Sequence, residues 1–219
     1  MTAAGAHWGV GCYEGDTGRV AWEISHDEIQ REMGAAPGRL ARLGVGAGSR
    51  VLFCSMLSEA GQFWPLMVGA MLAGAQLSSA DANEGEAARV AMFTRRLPYD
   101  AVLGVTPALL DGLDGLRVPY RDVFGGVRVV GARPGAYERL AAAGLAPHRF
   151  VLAGPAVAIG AEPGGPAHVD EQEWRVDLDG DVVCVTNLRP RATTFERTRT
   201  AVRARLAGGG IVPSAGREP

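Results

Sequence analysis

The pattern of apolar and polar positions changes once along this chain. Before residue 166, short continuous apolar runs alternate with longer segments whose apolar residues recur at helical spacing. Such alternation is typical of parallel βαβ units joined by right-handed crossovers. It predicts strands at 50–55, 75–78, 101–105, 127–130 and 150–153, helices at 59–73, 84–97 and 134–143, and a further helix that begins at Thr106-Pro107.

One helix start carries a clear local signal. Ser25-His26-Asp27-Glu28 has the capping-box spacing, in which a serine and a glutamate three residues later satisfy backbone N–H groups. The apolar residues that follow, Ile29, Met33 and Leu40, share one face of the predicted helix. We expect Pro37 to kink or split this helix, because proline removes a backbone donor and crowds the preceding turn.

After His168 the spacing changes to the two-residue period of half-buried strands. Trp174–Leu178 alternates, Asp179-Gly180 is a hairpin-turn dipeptide, and 181–186 is an apolar, β-branched run. The predicted fold class is therefore α/β, with a layered βαβ body, a mainly parallel sheet and a small antiparallel β unit near the C-terminus.

We divide the chain accordingly into three parts. An α/β body is predicted at 1–166, a small β unit at 167–206 and a disordered tail at 207–219. The tail is rich in glycine and proline and lies at a chain end, which favours disorder over a packed element.

Composition limits the function classes. Of the 219 residues, 47% are apolar and 21% are charged, as in an ordinary globular protein. The net charge of −2 provides no basic surface for nucleic acid. All 22 basic residues are arginine, a bias typical of GC-rich bacterial coding. The lack of lysine excludes a Walker-type lysine and a Schiff-base lysine.

The segment 60–80 carries no charge. Gln62, Pro65 and Gln76 interrupt its apolar character, so we predict a buried helix and strand and expect no membrane partner. The N-terminus has neither the basic start nor the apolar core that an export signal needs. We therefore expect a cytoplasmic protein.

The three cysteines show no metal-ligand spacing, and we predict neither a metal site nor a cofactor. Cys54 and Cys184 lie in apolar runs and are interpreted as buried strand thiols. Cys12 lies outside the predicted strands beside acidic residues, which disfavour a thiolate, so we assign it no catalytic role.

Several segments together resemble a known family. They are Gly15-Asp16-Thr17-Gly18-Arg19, Leu43–Val51, Leu72-Ala73-Gly74-Ala75, Thr106-Pro107, Gly131–Pro134, His168 and Thr186–Thr200. Their order and spacing resemble the phenylacetate–CoA ligase branch of the adenylate-forming (acyl-CoA synthetase) superfamily, over most of residues 13–203. The first segment stands where that family has its Gly-Thr-Thr-Gly-Lys phosphate loop.

The resemblance also identifies systematic departures. Glu14 and Asp16 place carboxylates where the family's loop holds ATP phosphates, and like charges repel at that distance. Val151 stands for the magnesium-binding glutamate and Val202 for the ribose-binding aspartate, and an aliphatic side chain can hold neither ligand. Arg133 replaces the glutamate of the Gly-Glu-Pro segment that lines the adenine pocket.

The chain is further expected to lack the family's mobile C-terminal domain, with its catalytic lysine, and a segment before the loop. We therefore expect a degenerate, truncated ligase core without ATP-dependent CoA-ligase activity. It is interpreted as a repurposed enzyme that acts on an acyl or aromatic-acid thioester intermediate by hydrolysis, cyclisation or release in specialised, natural-product metabolism. The alternative is a non-catalytic pseudo-ligase that binds a small acid or docks on a partner.

Seven residues are candidates for the site. His168 and His148 are candidate catalytic bases because imidazole titrates near neutrality, although capping of the β unit by His168 and a surface position for His148 stay open. The candidate substrate-binding residues are Arg19, Arg197, Arg199, Gly15 and Gly18. Each arginine could contact an anion. The alternatives are a solvated turn charge at Arg19, which balances Glu14 and Asp16, and edge charges at Arg197 and Arg199.

The expected ligand is a small acyl or aromatic acid, free or bound to CoA or a carrier. A ligase core without its flanking segments is expected to expose apolar surface, and such surface is commonly covered by a second copy. We therefore expect a homodimer.

Overall fold

The computed structural model describes residues 7–214. Its strands are β1 His7–Gly15, β2 Gly18–Ser25, β3 Arg50–Cys54, β4 Gln76–Ala80, β5 Ala101–Val105, β6 Val129–Ala132, β7 His148–Ala153, β8 Ala156–Gly160, β9 Ala167–His168, β10 Trp174–Asp179, β11 Val182–Asn187, β12 Thr198–Ala207 and β13 Gly210–Pro213. Its α-helices are α1 His26–Ala41, α2 Ala60–Leu72, α3 Ala87–Arg96, α4 Pro107–Gly115, α5 Tyr120–Phe124 and α6 Ala136–Ala142.

The body is built on five parallel strands in the order β4-β3-β5-β6-β7. Successive residues of β3 point to opposite faces of this sheet. Val51 and Phe53 pack with α1 and α2, whereas Leu52 and Cys54 pack with α3, α4 and α6. Helices on both faces explain why these strands read as continuous apolar runs.

The antiparallel strands continue from β7. The order β7-β8-β9-β13-β12-β11-β10 extends the same hydrogen-bonded sheet, and the β1–β2 hairpin joins it where Gly15 lies opposite Thr200 of β12. Tyr13, Trp22, Trp174 and Phe195 form the aromatic part of a third core under these strands. The predicted fold class, a mainly parallel body with antiparallel strands near the C-terminus, is confirmed.

The sequence signals for helix starts are confirmed, because a helix N-cap joins residues only three positions apart. The Ser25 hydroxyl accepts a hydrogen bond from the Glu28 N–H at 3.3 Å and caps α1. Thr106 caps α4 in the same way through the Leu109 N–H. Pro37 does not split α1, which continues as one helix to Ala41.

The predicted disordered tail needs correction. Strand β13 lies within it and pairs with both β12 and β9, with Gly208 and Gly209 forming the turn between β12 and β13. Ile211 is buried in the small core, which gives this short strand an apolar anchor. Residues 215–219 lie outside the described part of the chain. The division into a body at 1–166 and a β unit at 167–206 stays a prediction.

The uncharged segment 60–80 forms α2 and β4, the predicted helix and strand. The strand is not buried as predicted, because β4 lies at the edge of the sheet and only Ala80 is buried. Among residues 7–214, no helix combines the length and the apolar character that crossing a membrane requires.

Candidate functional site

The segment predicted to be a phosphate loop is a tight hairpin turn. Gly15 pairs with Gly18 across the β1–β2 ladder, which leaves Asp16 and Thr17 as the two turn residues. A two-residue turn of this kind closes its own backbone ladder. It offers less of a cradle for phosphate oxygens than an open glycine-rich loop would.

A cavity of about 440 Å³, hereafter the main cavity, lies along β1. The consecutive residues Cys12, Tyr13 and Glu14 all line it. Because side chains alternate between the two faces of a strand, three consecutive lining residues indicate that the cavity follows the edge of β1. That edge is open because β1 pairs with β2 along its length but with β12 only at Gly15. The volume is in the range of small-molecule sites.

The main cavity brings together the segments on which the family resemblance depends. Arg19 comes from the hairpin, Arg133 and Pro134 follow β6, Val151 lies in β7 and Val202 lies in β12. These residues are far apart in the chain, so their convergence is a property of the fold. The positions matched to the phosphate, adenine, magnesium and ribose contacts therefore surround one space.

The inner wall contains a buried ion pair. The Arg133 guanidinium donates to both oxygens of Glu59, each at 2.6 Å, and the two side chains are only 6% and 16% exposed. The same guanidinium lies 5.4 Å from the centre of the Phe63 ring. A bidentate pair of this geometry fixes both side chains and neutralises the charge of each. Sequence reasoning named Arg133 only as a departure from the family and missed Glu59.

Two further arginines lie at the rim of the main cavity. Arg19 is 67% exposed and donates to Glu14 at 3.0 Å, which raises the pKa of the Arg19 guanidinium. Arg203 is exposed and donates to Asp181 at 2.6 Å. Exposed ion pairs of this kind are weak, so either arginine can exchange its partner for another carboxylate at little cost.

Gln62 and Tyr13 complete the polar part of the wall. Gln62 is 2% exposed, and its Nε2 donates to the carbonyls of Cys12 and Gly154 at 3.1 and 3.3 Å. These bonds tie α2 to the open edge of β1 and to the turn after β7. Tyr13 is 7% exposed and packs against Trp22 and Phe195. Neither residue had a sequence signal, because their role depends on contacts between distant elements.

Of the predicted substrate-binding residues, only Arg19 lines the main cavity. Gly15 and Gly18 are used in the hairpin ladder. Arg199 is held between Asp16 of the turn and Asp179 of β10. Arg197 lies at the surface, where it donates to the Leu178 carbonyl at 3.4 Å.

The two candidate catalytic histidines also lie outside the main cavity. His148 is buried in β7 rather than at the surface, and its Nδ1 donates to the Gly160 carbonyl at 2.9 Å. His168 lies in β9 and lines a second cavity of about 320 Å³, together with Arg39, Arg42 and Asp170. Arg19 lines the main cavity and neither histidine does, so the structure does not bring the predicted bases and this anion contact together.

Cysteine positions differ partly from expectation. Cys54 and Cys184 are buried in strands, as predicted, and burial raises the pKa of Cys54 to about 12. Cys12 lies within β1, not outside a strand, and lines the main cavity. In the part of the chain that the structure describes, no cluster of His, Cys, Asp or Glu side chains could hold a metal ion.

Comparison with known proteins identifies the fold. No protein family and no curated protein matches the chain. The chain is similar to the solved structure of 2-hydroxyisobutyryl-CoA ligase with 2-HIB-AMP and CoA, with a TM-score of 0.66 and 15% identity over 95% of this chain and 51% of that one. For the anthranilate CoA ligase AuaEII with anthranoyl-AMP, the TM-score is 0.64 and the identity 11%, over 94% of this chain and 46% of that one.

A third similar structure is the N-terminal subdomain of Klebsiella oxytoca NpsA with 3-hydroxybenzoyl-AMSN. Its TM-score is 0.63 and its identity 13%, over 96% of this chain and 62% of that one. The chain spans about half the length of the 2-hydroxyisobutyryl-CoA ligase chains. At these identities the likeness establishes a shared fold. The expected core fold of the adenylate-forming ligases is confirmed, and the phenylacetate branch stays a prediction.

Proposed function

We propose that this chain, which has the core fold of the adenylate-forming ligases, binds a small acyl or aromatic acid in the main cavity without ATP-dependent adenylation. The observation that carries this proposal is the pairing of the cavity's arginines. Arg19, Arg133 and Arg203 each lie in an ion pair with a carboxylate of the chain itself. A triphosphate would have to displace Glu59 from its buried pair with Arg133, or bind with its own negative charges beside all three carboxylates, and both are unfavourable.

The wall positions matched to the family's magnesium and ribose contacts do not fit these ligands either. Val151 and Val202 line the cavity at the positions matched to the metal-binding and ribose-binding carboxylates. A hard cation needs oxygen ligands, and ribose hydroxyls need acceptors that a valine lacks. The cavity also lacks lysine, because the chain contains none. The proposed function therefore involves neither ATP nor magnesium.

A small acid fits the same wall. Val151, Leu152 and Val202 provide apolar surface for an acyl chain or an aromatic ring. The exposed arginines at the rim, Arg19 and Arg203, can pair with a single carboxylate at low cost because their present ion pairs are solvated. The solved neighbours are complexes with small acyl or aryl adenylates or an analogue, which supports a site for the acyl part of such ligands.

The test is isothermal titration of benzoate, phenylacetate and short-chain acids into the protein. Ala201 lines the main cavity, and Ala207 of the same strand β12 does not. We expect Ala201→Trp to abolish binding by filling the cavity, and Ala207→Trp to leave binding unchanged. Equal effects of the two variants, or no binding of any acid to the wild-type protein, would contradict the proposal.

A second candidate function is turnover of an acyl thioester. The observation that favours it is the position of the Cys12 thiol in the cavity wall, together with Glu14. The Cys12 thiol would give up its proton and attack the thioester carbonyl, the carbon–sulfur bond to CoA would break, and the CoA thiolate would leave and take up that proton. Water would then cleave the acyl-Cys12 thioester, which releases the free acid and restores the Cys12 thiol. Measurable hydrolysis of phenylacetyl-CoA that is lost in Cys12→Ser but kept in His168→Ala and His148→Ala would establish this function over simple binding.

We further propose a homodimer in a bacterial cytoplasm, in specialised metabolism, on composition and surface character. Trp64, Met71 and Leu72 of α2 are exposed, and Trp8 of β1 packs beside Trp64 with ring centres 6.4 Å apart. Because α2 carries no charge, two copies could meet there without burying an unpaired ion. Light scattering should give twice the monomer mass, and Trp64→Arg should halve it. A monomer in both would refute this part.

A further inference from the structure

Tyr13 contributes an unused hydrogen-bond donor to the main cavity. Within residues 7–214, no donor or acceptor pairs with its hydroxyl. The residue is only 7% exposed, and its hydroxyl oxygen is the part that stays accessible. A buried tyrosine normally finds a partner for its O–H group. Burial raises the pKa of Tyr13, so its phenol keeps its proton at neutral pH and remains a donor. The residue lines the main cavity, which is where a partner can reach it.

The ring of Tyr13 is held in place before any ligand arrives. Its centre lies 5.6 Å from that of Trp22 and 6.3 Å from that of Phe195, with both contacts tilted or edge-on. Packing of this kind removes the rotational freedom of the ring. A donor that is already fixed loses little entropy on binding, so it discriminates between ligands efficiently.

The register of the hairpin separates Tyr13 from the rim arginine. Tyr13 lies opposite Val20, and Glu14 lies opposite Arg19. Adjacent residues of a strand point to opposite faces, so the phenol and the Glu14–Arg19 pair lie on opposite faces of the hairpin. Both still line the main cavity because it follows the open edge of β1. A ligand along that edge meets an arginine on one side and a neutral donor on the other.

We propose that the Tyr13 hydroxyl is a specificity-determining donor, and that the ligand is a small acid with a second oxygen acceptor besides its carboxylate. The carboxylate pairs with the rim arginine, and the second oxygen, a carbonyl, ether or hydroxyl oxygen, accepts from Tyr13. This inference rests on the proposed binding of a small acid in the main cavity. It adds the chemical class of that acid.

The test compares acids of one shape that differ by one acceptor. Cyclohexanecarboxylate is titrated against its 3-oxo and 4-oxo derivatives, with the wild-type protein and with Tyr13→Phe. A net hydrogen bond contributes about 0.5–1.5 kcal/mol, so an oxo acid placed correctly should bind wild type roughly 2- to 12-fold more tightly than the parent acid. The phenylalanine variant keeps the ring and its packing. In this variant the ratio of oxo-acid affinity to parent-acid affinity should fall to about one.

The outcomes separate the two proposals. If none of the three acids binds the wild-type protein, both the site and the role of Tyr13 are wrong. If the parent acid binds but neither oxo acid binds more tightly, the role of Tyr13 is wrong and the site stands. If the oxo preference survives in Tyr13→Phe, another donor provides it, and the assignment to Tyr13 is wrong.

Discussion

At the scale of single residues, several side chains in the wall of the main cavity form ion pairs and hydrogen bonds with other groups of the chain. Arg133 and Glu59 neutralise each other in the inner wall, and Gln62 satisfies two backbone carbonyls. The partners of Arg133 and Gln62 lie up to 92 positions away in the chain, so no local pattern could predict these pairings. The capping hydroxyls of Ser25 and Thr106 were predictable because their partners lie three residues on.

The three cysteines differ in accessibility and therefore in reactivity. Cys54 is buried with a pKa of about 12, and burial also raises the pKa of Cys184, so burial disfavours the reactive thiolate at both positions. Cys12 is partly exposed in the cavity wall. Iodoacetamide should modify one thiol per native chain at pH 8 and three in guanidinium. The Cys12→Ser variant should show none when native, and mass spectrometry that finds modified Cys54 in the native protein would contradict this.

A buried arginine links α1 to the segment between β11 and β12. Arg191 has a side chain only 3% exposed, donates to Glu32 at 2.5 Å and to Glu173 at 2.9 Å, and lies 4.0 Å from the centre of the Trp174 ring. Its removal would take the paired cation from Glu28 and Glu32, while Glu173 would keep Arg31. Loss of one partner of a buried ion pair typically costs about 3–5 kcal/mol.

Urea unfolding should therefore show Arg191→Ala destabilised by about that amount. Arg189, two residues earlier, is exposed, and Arg189→Ala should change the free energy of unfolding by less than about 0.5 kcal/mol. Similar stability for the two variants would mean that the buried pairs contribute nothing net.

At the scale of elements, α1 and α2 cross closely because small residues meet. A Cβ atom added to Gly69 of α2 would lie 2.3 Å from the Cβ of Ala36 in α1, a distance that real side chains do not tolerate. A Cβ atom added to Gly34 of α1 would meet no other atom within 4 Å. Both glycines lie inside helices, but only Gly69 is in close contact with another helix, so Gly34 is a matched control for a substitution at Gly69.

Alanine at the two glycines should have opposite effects. Gly69→Ala should destabilise the protein by about 1–3 kcal/mol because the helices must separate. Gly34→Ala should stabilise it by up to about 1 kcal/mol, since alanine is the better helix former. Chemical denaturation followed by circular dichroism measures both, and a stabilising Gly69→Ala would show that the helices are not in close contact.

Elements were predictable to different degrees for physical reasons. The parallel strands β3 and β5 were predicted within one residue because burial on both faces produces a continuous apolar run. Strand β13 was not predicted, since its stability depends on pairing with β9, more than 40 residues earlier, through Ile211 and Ala167. The local sequence of a glycine-rich segment does not indicate that a distant strand will pair with it.

At the scale of the whole molecule, the fold brings the ligase-like segments around one cavity. We propose that the side chains there exclude a nucleotide, in which case the site and not the fold decides the chemistry. The family resemblance predicted which segments meet. It could not predict how the arginines would be paired, because that depends on Glu14, Glu59 and Asp181.

Thermal unfolding with and without MgATP tests this account most directly, because a ligand that binds only the native state must raise the melting temperature. We expect saturating benzoate or phenylacetate to raise the melting temperature of the wild-type protein. We expect MgATP, alone or with the acid, to add no further increase. A clear increase with MgATP alone would contradict the central claim that the main cavity no longer accepts the nucleotide.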